Sequence, residues 1–230
     1  MNRAWVMLAV LATGCTQDVD PPWQLDHDRV IAIRATPNRI NSGESAVIDA
    51  LLGRAGEPPI EVDPAMVTII EPTVLASSLM RVGFEWRVAA PSEPQLAAGR
   101  MELGIEAGEP VPLRLRMTFP NSSKVGLKIV WLGVHAENPV LNQIFVDGID
   151  MKTATSITVA PLTDVPLGVD FDDNYVVNWL TSCGTMHDFD LAQGYLRVET
   201  EDDQSGTLGV VVRDALGGVA WQTWPITTAQ

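Results

Sequence analysis

Residues 111–119 alternate apolar and polar side chains at a spacing of two. Leu113, Leu115, Met117 and Phe119 fall on one face, and Arg114, Arg116 and Thr118 on the other. A strand repeats its side-chain direction every two residues and a helix every 3.6, so this run is a strand with one face to bury. Leu196 and Val198 alternate in the same way with Tyr195, Arg197 and Glu199. Further β-rich runs cover residues 29–35, 45–52, 66–70, 82–88, 125–134, 142–146, 156–159 and 208–213. Turn signals separate them: Pro37-Asn38, Ser42-Gly43, Pro58-Pro59, Pro120-Asn121, Asp147-Gly148 and Gly217-Gly218. Glycine (18) and proline (16) are spread along the chain, leaving room for a helical turn or two only at 93–99 and 188–193. The expected class is all-β, built as sandwiches.

A repeat is visible in this pattern. Residues 82–88 align with 175–181, each centred on a tryptophan, Trp86 and Trp179. A paired-strand unit follows each copy: 113–119 returning as 125–134, and 208–213 returning as 219–226. The spacing is that of one sandwich module of about 100 residues. Two modules are therefore expected, at 29–136 and 137–230.

The N-terminus carries a separate signal. Arg3 precedes an apolar run at 4–12, too short for the ~20 residues of a membrane span but suited to the core of a secretory signal. The run leads into Leu11-Ala12-Thr13-Gly14-Cys15, which resembles a bacterial lipobox. That resemblance implies a signal peptide at 1–14, cleavage before Cys15, palmitate and further acyl chains on Cys15, and a lipid bilayer as the chain's first partner. Thr16 stands where Asp would imply retention at the inner membrane, so the implied place is the outer membrane of the cell envelope. Residues 15–28, acidic and interrupted by Pro21-Pro22, read as a lipidated tether.

Two further stretches carry a resemblance. Residues 29–37 with Gly43-Glu44-Ser45-Ala46 are similar to the opening of bacterial immunoglobulin-like domains. Residues 211–221, with Asp214-Ala215-Leu216-Gly217-Gly218 at the turn, resemble the closing hairpin of PKD-like and immunoglobulin-like modules. Behind a lipobox, the pair resembles the tandem immunoglobulin-like lipoproteins of myxobacteria. The resemblance implies a fold and a display role, and it transfers no catalytic residue. The cysteine that many such domains place beside the tryptophan strand is missing from the first copy. The second copy has only Cys183, so no inter-sheet disulfide is expected.

Composition narrows the function further. With 15 basic and 29 acidic residues the net charge is −14, which repels phosphate backbones and argues against nucleic-acid binding. Two cysteines cannot make a disulfide framework or a four-thiolate zinc site. Asp170, Asp172 and Asp173 concentrate oxygen donors of the type calcium prefers, though without a complete EF-hand spacing. Residues 199–203 and 147–150 are further acidic runs of the kind that solvate turns. Cys183 and His187 are four apart, but free cysteine is among the most buried residue types, and Cys183 reads as a small core hydrophobe. No nucleophile elbow, Walker loop or zinc-protease motif occurs. Trp86 and Trp179 read as core. Trp221 and Trp224, three apart on a strand, point to opposite faces, so at least one is expected on the surface as a platform for a glycan or protein partner. The expected function is a membrane-anchored, non-enzymatic binding and scaffolding module. The alternative is a carbohydrate-active or calcium-dependent adhesion protein using the acidic loops and the exposed tryptophan.

Overall fold

The computed structural model describes residues 21–170 and 174–229. The first half forms β1 (Arg29–Thr36), β2 (Arg39–Ile40), β3 (Ser45–Arg54), β4 (Glu57–Val62), β5 (Met66–Glu71), β6 (Leu79–Val82), β7 (Glu85–Ala89), β8 (Val111–Thr118) and β9 (Val125–Leu132). One sheet runs β1-β3-β7-β6, with β4 added to β3, and the facing sheet runs β2-β9-β8-β5. The second half forms β10 (Ile144–Val146), β11 (Ile149–Asp150), β12 (Ile157–Val159), β13 (Val165–Val169), β14 (Val176–Thr181), β15 (Thr185–His187), β16 (Gln193–Arg197), β17 (Ser205–Arg213) and β18 (Val219–Thr228). Its sheets run β11-β10-β13-β16-β15 and β12-β18-β17-β14.

Both halves share one topology. In each, the leading segment divides between the sheets, and its later part pairs parallel with the last strand: β2 with β9, β12 with β18. The other strands follow the A-B-E-D and G-F-C order of immunoglobulin-like sandwiches. The chain is all-β with immunoglobulin-like architecture. Each sandwich closes on its own core. Leu113, Leu115, Met117 and Val130 lie in the first, and Trp179, Leu196, Val210 and Trp224 in the second.

Several expectations change. The 113–119 and 208–213 hairpins are equivalent, but the tryptophan strands are not. Residues 82–88 are not one strand, because Gly83 and Phe84 form the turn between β6 and β7. Trp86 therefore lies half-buried on β7, whereas Trp179 is fully buried on β14 in the other kind of sheet. Pro58-Pro59, expected as a turn, lies within β4. That strand pairs only with β3, through an irregular register that tolerates residues lacking an N–H. The helix expected at 93–99 runs over Glu93–Leu103 (α1). Ser92 and Gln95 cap its start, and Gly104, at φ 67°, ends it in a left-handed turn. No helix forms at 188–193, where Asp188 and Leu191 make a turn.

Residues 21–28 are not a free tether either. Leu25 is fully buried, and Trp23 packs on the second core. Leu25 N–H donates to the Thr181 carbonyl at 2.8 Å, and Thr181 N–H to the Trp23 carbonyl at 2.9 Å. Two large apolar side chains in five residues are enough to hold this segment down. The chain thus touches its second sandwich before it builds its first.

Candidate functional site at the seam between the sandwiches

The outer face of the β1-β3 sheet is covered by the outer face of the β17-β18 sheet. Leu25, Ile31, Leu51, Leu180, Val211 and Trp221 form a third buried cluster there. This explains the unbroken run Val210-Val211-Val212. Val210 and Val212 fill the second core, while Val211 faces the seam. Around Trp221 the contacts are specific. Its indole N–H donates to Glu61 at 2.7 Å, and Arg34 stacks on its ring at 3.9 Å while gripping Asp49 with two hydrogen bonds. Asn138 ties the linker down, donating to the Ala35 carbonyl and accepting from Val219 N–H.

Two adjoining openings, both lined by Val30, Ile31 and Arg213, lie along this seam. The larger, about 740 Å³, is walled by β1, by β9 and by the β17–β18 turn at residues 213–217. The smaller, about 210 Å³, lies beyond Arg213 and is lined by Arg29, Asn178 and Phe189 among others. Their charged residues are mostly cationic. Lys128 is buried, donates to the Gly217 carbonyl, and has its pKa lowered to about 8 by burial first, against attraction from Asp214. Arg213 is also lowered by burial, and Arg29 by burial and then by the charge of Arg213. Asp214, the carboxylate in the wall, is engaged in its own turn, accepting from Leu216 N–H and Gly218 N–H.

Strand β9 carries a second feature. Opposite the inward residues of β8, its inward positions are Gly126, Lys128, Val130 and Leu132. Its outward positions are Val125, Leu127, Ile129 and Trp131, all large and apolar, the reverse of a strand with one wet face. Leu127 is 67% exposed, and Met66 (56%) and Ile70 extend the patch on β5. Arg114 and Arg116 stand among them on β8.

The residues singled out in the sequence fall elsewhere. Trp221 is 7% exposed and Trp224 is 1%. They do point to opposite faces, but Trp224 fills the second core and the first sandwich covers Trp221, so neither is a surface platform. Cys183 is buried, donates to the Asp203 carbonyl at 2.9 Å, and has a thiol pKa pushed up to about 11, chiefly by burial and then by Asp202 and Asp203. His187 stands exposed on β15. Asp170 is exposed after β13. Among the described residues no three His, Cys, Asp or Glu side chains are grouped to hold a metal. Cys15, Asp172 and Asp173 lie outside the described residues.

No protein-family model matches the chain, and neither does any curated protein. Among solved structures, titin domains Z1Z2 in complex with telethonin are 13% identical, covering 88% of this chain and 96% of that one at a TM-score of 0.24. Murine CEACAM1b is 12% identical, covering 86% and 99% at 0.29. A nucleoside hydrolase-related hypothetical protein from Saccharophagus degradans is 14% identical, covering 41% of this chain and 26% of its own length at 0.30. Likeness this distant transfers no function, and the immunoglobulin-like assignment rests on strand order and pairing.

Proposed function

We propose that the chain is a non-enzymatic binding and scaffolding module of a bacterial cell envelope. It is held at the outer membrane by acyl chains on Cys15 and displays modules at 29–136 and 137–230. The observation that carries this reading is the outward apolar row of β9, with Met66 and Ile70 on the same sheet face across β8. Large exposed apolar side chains grouped on one sheet face mark an interaction site. Arg116 among these side chains, next to the Arg114–Glu71 ion pair, favours a protein partner with acidic groups at its rim.

Two measurements test the proposal. Expressed with a labelled fatty acid, the wild type takes label and stays with membranes while Cys15→Ser does neither; equal behaviour of the two removes the anchor. Cross-linking from position 68, on the same sheet face as Leu127 with Arg116 between them, captures a partner in the wild type and loses it in Leu127→Glu; equal capture by both removes the β9 face.

A further inference from the structure

In a chain with 29 acidic residues, Arg29, Lys128 and Arg213 have no carboxylate within 4.0 Å among the described residues. Their partners are neutral. Arg213 donates to Asn178 Oδ1 at 2.6 Å and to the Ile31 carbonyl at 2.8 Å, and Arg29 Nη1 donates to the Pro22 carbonyl at 2.7 Å. The Nε and Nη2 of Arg29 are closed off from solvent and donate to nothing. An orphaned buried donor on a charged group costs more than on a neutral one, and two like charges at one pocket add repulsion. Asp214 and Asp49 attract Lys128 from a distance, but neither pairs with it, because Arg34 holds Asp49 and Asp214 is engaged by its turn.

We infer that the seam is a binding site for an amphipathic oxyanion, its carboxylate or phosphate group between Arg29 and Arg213 and its apolar body along the groove that runs to Lys128. The 210 Å³ pocket suits a headgroup, and the 740 Å³ groove lies within the range of small-molecule sites. Val30, Ile31, Ile33 and Ile129 supply apolar walls. Guanidinium forks match the two oxygens of such a group, and a rotation of the Arg29 side chain towards the pocket it lines would give its Nε and Nη2 the acceptors they lack. Burial of the cations and the charge of Arg213 on Arg29 point the same way.

The test is calorimetric titration of the whole chain with octanoate, octyl phosphate, inorganic phosphate and octanol, beside sedimentation with phosphatidylglycerol vesicles. One of the two octyl anions should bind saturably, about ten-fold or more tighter than inorganic phosphate or octanol. Binding should weaken about ten-fold or more in Arg29→Met and in Arg213→Lys. Without ligand, Arg29→Met should melt at or above the wild-type temperature, since it removes an unsatisfied charge; a purely structural arginine would lower it. No saturable binding of either octyl anion at ~10 mM overturns the proposal. So does unchanged affinity in Arg29→Met, or binding to vesicles without binding to free anions, which would indicate a lipid surface instead.

Discussion

Lys128 and Cys183 are each buried with a strongly displaced pKa, and the displacements oppose one another in alkali. The Lys128 ammonium loses its proton near pH 8 in the fold and near its ordinary 10.5 when unfolded. Between those values the unfolded chain binds more protons, so this residue makes the protein more stable as pH rises. The Cys183 thiol ionises near 11 in the fold against 9.0 unfolded, so its contribution is lost as pH rises from 9 towards 11. Each is worth on the order of 3 kcal/mol at most. Denaturant melts of Lys128→Met and Cys183→Ala between pH 7 and 10.5 should therefore deviate from wild type with slopes of opposite sign. Lys128 was not legible as a buried site, since its strand reads V-G-L-K-I-V-W-L and gives no reason to place the lysine inward. Cys183 was legible, because residue type alone favours burial. Gly184, next to Cys183, is constrained by its backbone instead. It takes φ 77°, and a Cβ there would overlap the Arg197 carbonyl oxygen. Gly184→Ala should cost about 2 kcal/mol or more in an equilibrium melt, with backbone strain and overlap adding.

Strand β9 separates side chains that fold the protein from side chains left on its surface. Val130 is fully buried and Leu127 mostly exposed, although both are aliphatic residues on one strand. Val130→Ala should cost about 2 kcal/mol. Leu127→Thr should stay within ~0.5 kcal/mol, as surface changes do, while weakening partner capture. Strand existence was readable where a wet face forced alternation, as in β8, or where aliphatic residues clustered, as in β9 and β17. It failed for β4 and for β13, which carry proline within the strand. β4 carries two prolines after Glu57 that look like a turn, and only its place beside β3 alone makes them acceptable. The tryptophan repeat misled because matching aromatic residues do not specify a sheet. Trp86 belongs to the strand after a tight turn, whereas the strand equivalent to that of Trp179 is β5, which has no tryptophan.

Charge divides unevenly over the whole molecule. Residues 29–136 carry eleven basic and eleven acidic groups, while residues 137–230 carry three and fourteen. The balanced and the acidic sandwich are fastened through Trp221, whose ring no sequence pattern marks as a contact with the other half. Trp221→Ala should cost about 3–5 kcal/mol and split one calorimetric transition into two. Of these, the transition of the acidic half should rise more with added salt, because screening relieves its self-repulsion. Tandem sandwiches are expected to behave as separate beads, and the sequence offers no sign of this seam beyond the doubly apolar β17.

The early contact of Trp23 and Leu25 with Thr181 also sets a mechanical order. Tension applied from the N-terminal side reaches the sequence-distal sandwich first, through two hydrogen bonds and two buried side chains, before any of it is passed to β1. The two sandwiches then share the load across their common face, and the pair should stretch as one stiff body that yields in a single event when that clamp is sheared.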